Sequence, residues 1–196
     1  MELRLPSPTQ LAAIYARDLL PAFPVSELKP LSNMQELWQR GLYRPLCLFD
    51  GEEIIGEAFL FDGEPGWALF DYLCVTESRR NDGLGSVIID LLQKQFPDTV
   101  LFGEAEDIDD APDPAMARRR LGFYLRNGAK QAAYDTNIFG AHYKTLYWAK
   151  EPIPDKALMR QHGLIYRQGM PEEIFDRFVQ IPLIPGKPMP QMPWMT

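Results

Sequence analysis

Two parts of this sequence carry residues whose types and spacing suit chemistry. In Arg79-Arg80-Asn81-Asp82-Gly83-Leu84-Gly85-Ser86, bulky side chains give way to glycines between an apolar run and an amphipathic one. A strand that feeds through a glycine turn into a helix is built to hold an anion. The first helical N–H groups lack internal partners there, and the helix dipole adds positive charge. Gly83 and Gly85 let backbone approach a ligand closely because no Cβ intervenes. Arg79 or Arg80 can add a charge-assisted contact. The turn lacks the third glycine of a dinucleotide-binding Gly-x-Gly-x-x-Gly, and the chain has no Gly-Lys-Ser/Thr of a nucleoside-triphosphate loop. The second part is Glu104-Ala105-Glu106. Its two carboxylates alternate onto one face of a strand, as acceptors for a proton or as a solvated strand end leading into an acidic loop. Asp71, inside an apolar run, is a further carboxylate that burial would bring toward the working range of a base.

The elements that must position these groups follow from periodicity. Trp67 to Val75 is aromatic and β-branched, as a largely buried strand should be, and Leu84, Val87, Ile88, Leu91 and Leu92 recur at helical spacing until Pro97. Upstream, Met1 to Leu5 reads as a strand closed by Pro6 and Pro8. Thr9 is the expected cap of a helix carrying Leu11, Ile14, Tyr15 and Leu19. Pro21, Pro24 and Pro30 mark an irregular connection, and Ser32 begins a short helix ended by Gly41. The strands Tyr43–Phe49 and Ile54–Phe61 meet across Asp50-Gly51-Glu52-Glu53, a hairpin signal. Downstream come a strand over Thr99–Glu106, an acidic loop, and a helix over Ala115–Asn127 with Gly128 as its stop. Gln131–Ile138 and Tyr143–Ala149 then form a closing antiparallel pair. The strands at Trp67 and Thr99, joined through a helix, should run parallel.

Two segments in order resemble the GCN5-related N-acetyltransferases. Arg80-Asn81-Asp82-Gly83-Leu84-Gly85 is similar to that superfamily's pyrophosphate signature, Arg/Gln-x-x-Gly-x-Gly/Ala. Arg120-Leu121-Gly122-Phe123-Tyr124-Leu125-Arg126-Asn127-Gly128 is similar to its helix reading Arg-x-x-Phe-Tyr-x-x-x-Gly. Arg118-Arg119-Arg120 together with Glu104-Ala105-Glu106 looks most like a bacterial branch. Two positions depart from the pattern: Ala117 stands where many members have an asparagine, and Gly128-Ala129 where Gly-Phe is common.

The resemblance covers roughly residues 1–149 and implies an α/β (α+β) fold: a mixed, mostly antiparallel sheet flanked by helices, with a central parallel strand pair. It implies acetyl-coenzyme A as co-substrate and no metal. The pyrophosphate would lie on backbone from Asn81, Asp82, Gly83, Leu84, Gly85 and Ser86 with the Arg80 side chain beside it, and the pantetheine arm along Leu73, Cys74 and Val75. Tyr124 takes the role of acid for the departing thiolate, since a phenol of reference pKa about 10 can protonate it; by periodicity alone it reads as a core aromatic beside Phe123. Glu104 is the expected base, taking a proton from an ammonium substrate through water.

Composition narrows the partners. With 196 residues, 46% of them hydrophobic and 24% charged, the chain is most simply one soluble domain. A formal net charge of −7 argues against a general nucleic-acid binder, and no apolar run is long enough to span a membrane. Cytoplasm is the expected compartment. Cys47 and Cys74 lie in apolar runs and read as reduced core thiols. His142 and His162 are isolated in sequence and read as surface or structural residues. Residues 150–196 form a helical, then proline-rich extension, packing on the domain or on a partner subunit, which leaves a homodimer open. Two functions stand: transfer of an acetyl group to a primary amine of a small molecule or peptide, or a catalytically inactive acyl-coenzyme A sensor or assembly module of the same fold.

Overall fold

The computed structural model describes residues 1–24, 27–188 and 190. The chain divides into two compact units, Met1–Asp62 with Phe70–Thr99, and Gly63–Leu69 with Val100–Thr196.

The first unit opens with β1 (Glu2–Arg4) and α1 (Pro8–Ile14). Ser7, rather than the expected Thr9, caps α1: its hydroxyl accepts from the Gln10 N–H at 3.2 Å while the Gln10 side chain accepts from the Ser7 N–H at 2.8 Å. Pro8 suits the first helical position, which needs no donor, and so moves the start upstream of Thr9. Helical backbone continues through a π-helical turn, Tyr15–Leu19, into the short α2 (Leu20–Ala22). After α3 (Leu31–Gln39) come β2 (Tyr43–Asp50), β3 (Glu53–Asp62) and β4 (Trp67–Val75), then α4 (Leu84–Gln95). Leu11, Ile14, Met34, Leu37, Leu48 and Ile55 are among the core residues. α4 buries Leu84, Ile88, Ile89 and Leu92. Gly56 on β3 permits its close seat: a Cβ there would lie 3.0 Å from Ile88 Cδ1 and 3.1 Å from the Cys74 carbonyl oxygen.

The second unit holds β5 (Val100–Glu106), α5 (Pro114–Arg126), β6 (Lys130–Ile138), β7 (Ala141–Trp148), α6 (Asp155–Gly169), α7 (Glu172–Phe178) and a two-residue β8 (Val179–Gln180). The order β5-β7-β6-β8 is antiparallel throughout, with Glu104 opposite Thr145 and Asp135 opposite Lys144. β8, too short to leave a sequence signal, pairs Val179 with Ile138. α6 is one 15-residue helix in spite of Gly163, and it buries Leu158, Gln161, His162, Ile165 and Tyr166. Pro182 to Pro188 carries no helix or strand, as expected, while Met189 and residues 191–196 of the same stretch lie outside the described residues.

The sheet order across the chain is β1-β2-β3-β4-β5-β7-β6-β8, mostly antiparallel with β4 and β5 parallel, which is the expected mixed α/β class. Among the described residues no helix is long and apolar enough to cross a membrane.

Candidate functional site

In the first unit, the turn after β4 has the conformation its glycines anticipated. Thr76 holds the strand end by donating its N–H to the Ile55 carbonyl at 3.2 Å, and a 3-10 turn follows over Glu77–Arg79. Asn81 (φ 71°) and Gly83 (φ 78°) both adopt the left-handed region, and Gly83 is the cap residue of α4. No side chain caps α4, and a Cβ built at Gly83 would meet nothing within 4 Å. The Ser86 N–H turns back to the Gly83 carbonyl at 3.0 Å, which leaves Leu84 and Gly85 as the first N–H groups of this 12-residue helix without a side-chain cap, a start suited to an anion. Arg80 donates through Nε to the Val75 carbonyl at 3.3 Å and remains exposed. Arg79 pairs with Asp82 at 3.4 Å and lies 3.9 Å from Asp50.

Along the end of β4, Leu73 and Val75 are half-buried while Cys74 is buried. The Cys74 Sγ faces the Asp18 carbonyl at 3.6 Å. Burial, with Glu57 nearby, pushes its thiol up to about 12, so it is no thiolate and only backbone is on offer there. Cys47 is likewise a free, buried thiol raised by burial.

Behind the strand end lies a polar cluster absent from the sequence reading. Arg17 donates to Asp18 Oδ2 at 2.8 and 2.6 Å, to the Ile54 carbonyl at 2.8 Å and to Thr76 Oγ1 at 3.1 Å. Glu57 is fully buried, with Arg17 Nη2 4.0 Å away and no hydrogen-bond partner for its oxygens among the described residues. Burial, reinforced by Asp18, pushes the Glu57 carboxyl well above the usual range and holds it neutral. The π-helical turn, a feature that recurs at functional sites, supplies Arg17 and Asp18. Asp71, the alternative base, is already engaged: Lys29 Nζ lies 2.8 and 3.0 Å from its two oxygens, and the Tyr43 hydroxyl donates to it at 2.6 Å.

The second unit holds the other predicted residues. Asp113 caps α5 by accepting from the N–H groups of Ala115 and Met116. Arg120 of the helix motif donates to Glu106 Oε2 at 2.9 Å, which gives Glu106 a structural partner. Tyr124 is half-buried, its ring packed edge-on against Phe123 (5.4 Å) and Trp148 (5.8 Å). Burial raises its phenol above 10.0 and Arg120 opposes the shift, so the proton stays on oxygen at neutral pH.

Glu104 has far more partners than a solvated strand end. Oε1 accepts from His162 Nε2 at 3.0 Å and from the Thr136 hydroxyl at 3.3 Å, and Oε2 accepts from the Tyr166 hydroxyl at 2.7 Å. Tyr134 lies 3.2 Å from His162 Nδ1. His162 and Tyr166 belong to α6, whose apolar pattern was legible but whose partner in β5 was not.

His142 is also far from isolated. Its Nδ1 lies 2.6 Å from Asp110 and its Nε2 3.0 Å from Asp135, with Asp107 at 3.8 Å. Lys144 bridges Asp107 and Asp135 at 2.6 Å each. Among the described residues, Asp107, Asp110 and His142 bring potential ligand atoms within 4.8 Å of one another. The ammonium of Lys144 is shared between Asp107 and Asp135, so these carboxylates are already engaged in an ion-pair network.

No family model matches the chain, and no curated protein matches it in sequence. Its fold, however, has solved counterparts. A protein described as a GNAT-family acetyltransferase from Bacteroides thetaiotaomicron aligns with a TM-score of 0.70 at 20% identity, over 84% of this chain and 96% of that one. An aminoglycoside 6'-N-acetyltransferase complexed with coenzyme A aligns with a TM-score of 0.55 at 15% identity, over 79% and 99% of the two chains. A ribosomal-protein-alanine N-acetyltransferase from Brucella melitensis gives 0.54 at 16% identity, over 76% and 99%.

Proposed function

We propose that this chain, which has the fold of the GNAT acetyltransferases, is an acetyl-coenzyme A-dependent N-acetyltransferase acting on a primary amine of a small molecule or peptide. The observation that carries the reading is the turn from Arg80 to Ser86. Two left-handed residues and an uncapped helix start form an anion-binding backbone on a fold one of whose counterparts is solved with coenzyme A. The open space at Gly83 fits a pyrophosphate.

The residues divide the work as follows. Backbone from Asn81 through Gly85 holds the pyrophosphate, with the exposed Arg80 guanidinium for a phosphate oxygen, while the Ser86 N–H is already given to the Gly83 carbonyl. Peptide groups of Leu73 to Val75 hold the pantetheine arm. Glu104 accepts one proton from the acceptor ammonium, breaking an N–H bond and freeing the nitrogen lone pair. That nitrogen attacks the thioester carbon. As the C–N bond forms and the C–S bond breaks, Tyr124 gives its proton to the departing sulfur. The phenolate recovers a proton from the second N–H of the acylated nitrogen, and Glu104 releases its own to solvent. The Tyr124 phenol is protonated at neutral pH, so its proton is in place when the thiolate appears.

The test is release of free thiol from acetyl-coenzyme A across a panel of polyamines, aminoglycosides and peptides with free amino groups, with the acetylated product identified by mass. Turnover on at least one amine is expected. Tight binding of acetyl-coenzyme A with no turnover on any would instead support the inactive sensor, and no binding would overturn both.

A further inference from the structure

The cluster around Glu104 assigns roles to two residues of α6 that neither motif contains. We infer that His162 and Tyr166 are positioning residues for the Glu104 carboxylate, holding it ionised and oriented as a proton acceptor. The inference rests on the reading of Glu104 as the base.

With Glu104 ionised, the direction of each hydrogen bond follows. Tyr166 can only donate to a carboxylate, and does so to Oε2 at 2.7 Å. His162 is fully buried between Tyr134 and Glu104. A neutral imidazole with its proton on Nε2 donates to Glu104 Oε1 at 3.0 Å and leaves Nδ1 to accept from Tyr134 at 3.2 Å. With Glu104 ionised, that tautomer gives both ring nitrogens a partner of the right kind. Thr136 adds a third donor at 3.3 Å. The ring of His162 is further fixed by Phe102 at 5.2 Å and Tyr166 at 5.5 Å.

The titratable groups turned toward Glu104 include His162 and Tyr166 from α6, with Tyr134 of β6 behind His162. β7 contributes the neutral Thr145 opposite it, and Asp155, at the start of α6, is engaged with the Ala133 N–H. The side chain of Glu104 keeps 14% of its exposure, so the carboxylate is not sealed off by its partners. Donors to the charged form favour it. Removing one should therefore let Glu104 take up a proton at higher pH, while the backbone of β5 stays in place.

The experiment is the pH dependence of kcat/KM in the full chain for the best acceptor found, comparing wild type with Tyr166→Phe, His162→Leu and His162→Gln. The acceptor's own titration is common to all forms and drops out of the comparison. Tyr166→Phe and His162→Leu should move the acid limb up by about one pH unit, the usual worth of a hydrogen bond to a charged group. His162→Gln, whose amide offers N–H donors on one side and a carbonyl acceptor on the other, should bring the limb back toward wild type. A purely structural role would lower the melting temperature and leave the limb unmoved in Tyr166→Phe, which would overturn the inference even if His162→Leu failed to fold. Titration of the Glu104 carboxyl carbon by NMR in wild type and Tyr166→Phe reads the same shift without turnover. A shifted carboxyl titration together with full activity of Glu104→Gln would uphold the contact network and overturn the base reading alone.

Discussion

Nη2 of Arg17 donates to Oγ1 of Thr76 across 3.1 Å, joining the π-helical turn to the residue at which β4 leaves for the glycine turn. The same guanidinium holds the buried carboxylate of Asp18. Arg17→Met keeps the aliphatic stem and strips the charge. Breaking a fully buried pair costs about 3–5 kcal/mol, but the Arg17 side chain is 46% exposed and water will replace part of its contribution. The expected loss is about 1–3 kcal/mol in urea denaturation. A change below about 0.5 kcal/mol would contradict Arg17 as the partner that stabilises Asp18.

Glu57 sets a pH dependence of known sign. Its carboxyl is raised in the folded chain by burial and by Asp18. The folded state therefore holds a proton that the unfolded state releases above about pH 4.3. Stability from this group is complete below that pH and falls by about 1.4 kcal/mol per pH unit until the folded value is reached. Glu57→Gln, neutral at every pH, should be more stable than wild type at pH 8 and nearly equal at pH 4.5. Parallel stability curves for the two proteins would contradict a neutral Glu57.

His142 gives a second pH signature, opposite in origin. Both ring nitrogens face carboxylates, Asp110 and Asp135, and a neutral imidazole has only one N–H for them. Burial lowers its basicity, but the Asp110 and Asp135 hydrogen bonds outweigh that and raise it above 6.5. The stability it contributes is complete below about pH 6.5 and is lost as pH rises through the folded value. In His142→Gln the denaturation midpoint should lose this fall between pH 6.5 and 9. An unchanged pH slope would show that the imidazole is neutral throughout.

Much of this was legible in the sequence, for a physical reason. The turn between β4 and α4 is local: glycines, an apolar run before and a periodic run after specify it within some thirty residues, and Asn81 and Gly83 take the conformations that follow. The mixed sheet was legible from element order. The polar clusters were not, because they are assembled by packing. Glu57 sits in an apolar strand pattern that gives no hint of Arg17 and Asp18. Glu104 meets His162 and Tyr166 only because α6 folds back onto β5, joining residues 58 and 62 positions apart. His142 looked solitary since two of its acidic neighbours, Asp107 and Asp110, come from the loop after β5 and the third, Asp135, from β6. Cap choice failed at Thr9 on a smaller scale, where Ser7 with Pro8 and Gln10 made the stronger start.

The glycine turn has its own test. Gly83 lies at φ 78°, where any side chain adds strain of about 1–2 kcal/mol. Its Cβ would point into open space and not into the protein. Gly83→Val should therefore still fold, with a lowered melting temperature, and lose measurable acetyl-coenzyme A binding in calorimetric titration. Unchanged affinity in the folded variant would remove the turn from the binding site.

If Tyr124 donates the proton in acetyl transfer, Tyr124→Phe removes that proton and nothing else. The ring packing on Phe123 and Trp148 survives and, among the described residues, the hydroxyl has no hydrogen-bond partner to strand. General acid catalysis contributes typically about 10²–10⁴-fold, so turnover of the acceptor amine should fall within that range while acetyl-coenzyme A affinity stays the same. Turnover near the wild-type rate would contradict the account and leave Tyr124 a packing residue.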